Sequence, residues 1–141
     1  MSLLLLDTCA LIWIAQDAAM DASAKLAIRE AATRGDLFVS PASAWEIGLL
    51  ARSRTGGAAG LQFLPDPHAW FAAFIARPGV RLAALTPEIA IDVSQLPGDF
   101  HNDPADRMIV ATARRVGAAV VTRDRKILGY AQAGHVAALA C

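Results

Sequence analysis

Hydrophobic and polar positions along this chain alternate between short continuous apolar runs and longer stretches with helical spacing. Ser2–Leu6 is a continuous apolar run ending in Asp7-Thr8, the pattern of a central buried strand. Asp7 or Thr8 then caps a short helix through Ala10, Leu11, Trp13 and Ile14. After a break at Gln16–Asp21, Ala22–Ala32 reads as a second helix, ended by Gly35. Leu37–Val39 is a short strand, and Ser40-Pro41 opens a third helix from Ala42 to about Arg52. Arg52–Gly60 is the best candidate for a flexible loop. Asp66–Ala76 is another helix, with Pro67 at its start and Trp70, Phe71 and Phe74 on one face. Arg81–Leu85 reads as a strand, Thr86-Pro87-Glu88 opens a short helix, and Leu96–His101 is a loop.

His101–Asp124 carries the clearest signal. Asp103 or a close neighbour caps a helix whose first position suits Pro104. Asp106 falls in the first turn, where a carboxylate meets the positive end of the helix dipole. Met108, Ile109, Ala111, Thr112, Ala113 and Val116 supply the apolar face, and Gly117 stops the helix. Ala118–Val121 is then a buried strand with Thr122-Arg123-Asp124 at its carboxyl end. Arg125–Tyr130 adds a turn of helix and His135–Ala140 a last, weaker strand.

Strands alternating with helices define an α/β fold, a three-layer α/β/α sandwich around a central, mostly parallel sheet of four to five strands. At 141 residues the chain is long enough for one domain, residues 1–141, with a sizeable core. In such sheets ligands gather beyond the carboxyl ends of the strands, where Asp7 and Asp124 both stand.

Composition changes this picture in few places. The chain is 55% hydrophobic and 18% charged, which excludes disorder and leaves enough apolar surface to imply a partner or a self-interface, with a homodimer expected. Net charge is zero, so no bulk basic character announces nucleic acid. Arginine dominates the positive charge, in clusters at Arg52/Arg54 and Arg107/Arg114/Arg115/Arg123/Arg125/Lys126, which read either as a basic face or as solvated helix surface. Cys9 and Cys141 have no metal or redox spacing, and Cys9 is expected as a small core residue. No apolar run is long enough for a secretory signal or a membrane span, so a cytoplasmic location and no membrane partner are expected.

Four acids follow separate apolar segments that should meet at one sheet edge: Asp7, Glu46, Asp106 and Asp124. Each has a plainer reading, as a cap or as dipole compensation. For Glu46 that reading is a capping box with Ser43, but Pro41 places the helix start earlier, with Ser40 as cap. Converging carboxylates repel unless some stay protonated, and a bound cation removes the penalty. Oxygen-only ligands favour Mg²⁺, with Mn²⁺ possible, over zinc. His68, His101 and His135 share no metal spacing. Trp13, Trp45, Trp70 and Phe71 fall on apolar faces and read as core or interface.

The segments LLLLDTCALIWI, SPASAWEIGLL, LPGDFHNDPADRMIVATA and VVTRD resemble, in order and spacing, those of the PIN-domain ribonucleases, and among them the VapC-type toxins of bacterial toxin–antitoxin pairs. The resemblance covers nearly the whole chain. It implies a PIN-like fold and a Mg²⁺-dependent endoribonuclease that hydrolyses RNA phosphodiesters, with Asp7, Glu46, Asp106 and Asp124 as the catalytic acids. Asp7 and Asp106 are the implied direct metal ligands, Asp124 is a further ligand or an acid that supports them, and Glu46 binds metal or orients the water. Thr8 and Thr122 match hydroxyl positions beside the site and fix its carboxylates. Asp103 and Arg107 match the DPxDR pattern, with Arg107 a candidate RNA phosphate contact. The implied partners are RNA and a cognate antitoxin that lays a helix or extended segment into a groove near the site. Leu50 departs from the pattern, standing where members of the group often carry a lysine.

Two other functions compete. An aspartyl-phosphate phosphohydrolase or receiver-like domain would need a second acid beside or two residues after Asp7, and a lysine at a late strand. Thr8 and Cys9 occupy those places, and Lys126 comes too late. A non-catalytic interaction domain of the same fold would have no need of all four acids.

Overall fold

A computed structural model describes residues 2–52 and 62–141. The sequence reading of a loop at Arg52–Gly60 lies outside the described residues from position 53 onward. Among the described residues five strands form one parallel sheet: β1 (Leu3–Leu6), β2 (Leu37–Val39), β3 (Val80–Leu82), β4 (Ala118–Thr122) and β5 (Ala137–Ala140), in the order β3-β2-β1-β4-β5. Among the described residues seven helices connect and cover it: α1 (Thr8–Ala15), α2 (Ala22–Arg34), α3 (Pro41–Arg52), α4 (Pro67–Ile75), α5 (Pro87–Ser94), α6 (Pro104–Val116) and α7 (Arg125–Gln132). The sheet is parallel throughout.

The four leucines of β1 show why this run is central. Leu4 and Leu6 enter one core with Leu11, Ile28, Ile47 and Phe74 from α1, α2, α3 and α4. Leu5, between them, enters the opposite core with Ile109, Val110 and Ala113 of α6 and Ile127 and Tyr130 of α7. A strand alternates its side chains, so only an all-apolar sequence can be buried on both faces. The layers are therefore helix, sheet, helix.

The connections decide where a site can form. From β1 the chain builds outward through β2 to β3, then crosses back to place β4 on the other side of β1. Strand order thus reverses between β1 and β4, which pair from Leu3↔Ala118 to Leu6↔Val121. Helices leaving the two strands there diverge, opening a crevice at the carboxyl edge.

Local chemistry sets most boundaries as expected. Asp7, Asp21, Asp66, Thr86, Asp103 and Asp124 each cap a helix with the side chain. Gly35 and Gly117 close α2 and α6 at φ 74° and 77°. Other expectations need adjustment: α2 runs two residues beyond Ala32, to Arg34, and β5 begins at Ala137, two residues after His135. β3 begins one residue earlier than predicted and ends at Leu82, although Ala83 still donates its amide to Val39 at 2.8 Å. α7 runs two residues beyond the predicted turn, because Tyr130 is buried against Phe100 and holds the helix on the core. Cys9 is exposed, since it is the second residue of α1 and lies off that helix's buried side. Of the aromatics, Trp70 packs edge-on against Phe63, whereas Trp45 is exposed. Among the described residues no helix is long and apolar enough to cross a membrane.

Candidate metal centre

Each predicted acid reaches the crevice from a different element. Asp7 follows β1, and its buried carboxylate accepts the Ala10 amide at 2.8 Å to cap α1. One oxygen is thus fixed by the backbone and the carboxylate cannot swing. Asp124 is built the same way after β4: its Oδ1 accepts the amides of Lys126 (2.8 Å) and Ile127 (3.1 Å) to start α7. Thr122, fully buried between them, accepts the Asp124 amide through Oγ1 at 2.9 Å. The same hydroxyl stands beside the Asp7 carboxylate and offsets part of the effect of burial on it.

Glu46 comes from α3. Ser40 takes the start of that helix, its hydroxyl accepting the Ala42 amide at 3.0 Å, so Glu46 has no capping duty. Its carboxylate instead accepts the hydroxyl proton of Thr8. Thr8 and Ser43 are both buried with their hydroxyl oxygens 3.0 Å apart, which leaves Ser43 to donate toward Thr8. Ser43 and Glu46 are one helical turn apart, on the same face as the crevice.

Asp103 and Asp106 begin α6. Asp103 accepts the Asp106 amide at 2.9 Å as the helix cap, which places its charge beside Asp106. Asp106 is partly buried, and its Oδ2 lies 3.2 Å from Nε2 of His101. Donor atoms of His101, Asp106 and Asp124 all fall within 4.8 Å of one another, close enough to share one cation. His101 is a site residue that histidine spacing does not reveal. Its partners are carboxylates on other elements, and the only local signal is its place in the loop that leads into the Asp103–Asp106 turn.

Electrostatics record the convergence. Burial, followed by Asp103, Asp124, Glu46 and Asp7, pushes the Asp106 carboxyl up to about 7. Burial raises Asp7 above its ordinary value, with Asp124 adding to the rise. Glu46 is raised by burial, against the pull of Thr8, and further by Asp103 and Asp7. The thiol of Cys9 reports on the same field: although the residue reaches the surface, desolvation by the surrounding protein and then the charges of Asp7, Glu46, Asp106 and Asp124 push it up to about 11. Three raised carboxylates, Asp7, Glu46 and Asp106, gathered near the Asp124 carboxylate with no lysine or arginine in a salt bridge to them among the described residues, make a donor set that a hard divalent cation fits.

Arg107 has a different duty from the expected phosphate contact. Its Nε donates to the Val93 carbonyl at 2.9 Å, and its Nη1 to those of Phe100 (2.9 Å) and His101 (3.1 Å). The guanidinium is a clamp between the end of α5 and the loop entering α6, and three backbone acceptors hold it there.

Comparison with known proteins identifies the family and the fold. The family model described as PIN domain matches residues 4–132. Ribonuclease VapC22 of Mycobacterium tuberculosis is 32% identical over 131 residues, 92% of this chain and 93% of the relative. Among solved structures, VapBC2 from Rickettsia felis bound to a DNA fragment from its promoter matches with a TM-score of 0.65 and 12% identity, over 97% of each chain. DNA-bound VapBC from Salmonella typhimurium also gives 0.65, at 19% identity over 99% of this chain and 98% of the other.

Proposed function

Because this chain belongs to the PIN-domain family, we propose that its acidic crevice is the active site of a divalent-metal-dependent endoribonuclease, the toxin of a VapBC-type toxin–antitoxin pair. The observation that carries the reading is the set of raised carboxylates around Asp106, which a cation would relieve. Asp7, Asp106 and Asp124 would hold the ion, Mg²⁺ or alternatively Mn²⁺. When bound, such an ion neutralises charge on the phosphate and acidifies water.

The protein's own groups do the rest. Asp7 and Asp124 each keep one oxygen on a helix N-terminus, which fixes the orientation of the other. Thr122 ties the Asp7 carboxylate to the backbone of Asp124 through one hydroxyl, and Thr8 orients Glu46. Glu46, raised above its ordinary value by burial, suits the proton acceptor that orients the attacking water. Asp103 sets the start of α6 and so the position of Asp106.

RNA is the proposed substrate, by likeness to the ribonuclease VapC22. The partner is a cognate antitoxin, as in the VapBC complexes of the same fold. Exposed Trp45 and Leu49 on α3, and Ile91 on α5, offer apolar surface for that partner and for a homodimer. The chain acts as one domain, and its location is the cytoplasm, where RNA and antitoxin meet.

The test is cleavage of a mixed RNA substrate with Mg²⁺, with EDTA, and by Asp106→Asn, which keeps shape and removes charge. Metal-dependent cleavage that falls at least about 100-fold in the variant is the expected result. Equal cleavage by both proteins, or cleavage that survives EDTA, rejects it.

A further inference from the structure

His101 lies against the proposed metal centre with an unusual set of neighbours. Its Nδ1 accepts the backbone amide of Asp103 at 3.2 Å. Its Nε2 is buried, has no partner in good hydrogen-bond alignment, and finds Asp106 Oδ2 3.2 Å away. Distance alone would allow the ring to be either a third ligand or a support for Asp106.

The tautomer separates the two. A backbone amide can only donate, so Nδ1 must present its lone pair, and the proton of the neutral ring then sits on Nε2. An Nε2–H faces Asp106 as a donor and has nothing to offer a cation. Coordination through Nε2 would push the proton to Nδ1, leaving it opposed to the Asp103 amide and depriving that amide of its acceptor. We infer that His101 is a positioning residue, which donates from Nε2 to Asp106 Oδ2 and leaves Oδ1 for the ion. The inference rests on the proposal that the acids hold a divalent cation.

The surroundings prevent the ring from adopting the other role by moving. Arg107 grips the carbonyls of Phe100 and His101 itself. The Phe100 ring lies 4.4 Å from the imidazole and 4.7 Å from Tyr130, which is buried on α7. Asp103 completes the clamp, with its amide on His101 and its carboxylate on the Asp106 amide. Arginine, histidine and aspartate thus form a chain of contacts ending at Asp106. A rotation of the Asp106 carboxylate about its own bond brings Oδ2, already 3.2 Å away, into line with Nε2–H. Such a donor also stabilises the ionised carboxylate against four neighbouring acids, the form that a cation requires.

The experiment measures Mn²⁺ binding by calorimetry for wild type, His101→Ala, His101→Gln and Asp106→Asn, with pulsed electron paramagnetic resonance on the Mn²⁺-loaded wild type. Circular dichroism confirms that each variant is folded. His101→Ala is expected to weaken binding about 10–100-fold. His101→Gln, which restores an N–H near the Nε2 position without the ring, should recover most of that loss. The resonance spectrum should show no directly bound nitrogen. A directly bound nitrogen would make His101 a ligand and overturn the inference. So would unchanged binding in His101→Ala, or equal losses in the Ala and Gln variants, which would mark the ring as packing only. Wild-type binding by Asp106→Asn would instead reject the metal reading on which the inference stands.

Discussion

At the scale of single residues, the site depends on side chains that serve the backbone and the chemistry together. Asp7 and Asp124 cap helices with one oxygen each, so their positions are set by folding and need no bound ion to define them. Asp103 shows what that coupling costs. It caps α6, yet its charge is the first neighbour after burial that raises Asp106. Asp103→Asn separates the two effects, because asparagine caps helices as well as aspartate does and carries no charge. The Asp106 carboxyl is expected to move down toward its ordinary value while helix content is unchanged, read by carbon-detected nuclear magnetic resonance titration without metal. An Asp106 titration that stays where it was would show that the Asp103 charge does not contribute to the rise.

At the scale of elements, the arrangement is governed by what enters and leaves α6. Arg107, on its first turn, ties the loop through Phe100 and His101 to the last residues of α5. Lysine has one ammonium in place of the planar fork and cannot meet all three carbonyls in this geometry. Arg107→Lys is therefore expected to lower stability by about 1.5–3 kcal/mol in urea denaturation. A loss within error of zero would return the guanidinium to solvent-facing duty. Much at this scale was legible from the sequence. The apolar run of β1, the caps at Asp7 and Asp103, the stop at Gly117 and the placing of Glu46 inside α3 all follow from local pattern. What stayed hidden has a common cause. The pairing of His101 with Asp106, the clamp of Arg107 and the Thr8–Ser43–Glu46 contacts all join separate elements or depend on a loop path, which periodicity does not encode. Cys9 was misplaced for a related reason: following a buried strand says nothing of which side of the next helix a residue faces.

At the scale of the whole molecule, the sheet topology turns four scattered acids into one electrostatic unit. The strand reversal between β1 and β4 brings Asp7 and Asp124 together, and α3 and α6 add Glu46 and Asp106 from the two sides. This has a consequence for stability. Asp106 is raised from 3.8 to about 7, so across that window the folded protein keeps a proton that the unfolded chain releases. Stability without metal must then fall as pH rises from 3.8 to about 7, with Asp7 and Glu46 acting in the same direction. The melting temperature in EDTA is expected to be lower at pH 8 than at pH 5, and saturating Mg²⁺ should remove the difference by taking the place of the protons. A profile that is flat in EDTA, or that Mg²⁺ leaves unaltered, would show that the acids do not act together. The central claim is that this crevice is a cation site, and crystals soaked in Mn²⁺ test it most directly through anomalous scattering. The expected result is a peak bounded by Asp7, Asp106 and Asp124, with His101 behind Asp106 and not bonded to the ion. No peak at saturating Mn²⁺, or a peak elsewhere on the surface with the crevice empty, would contradict it.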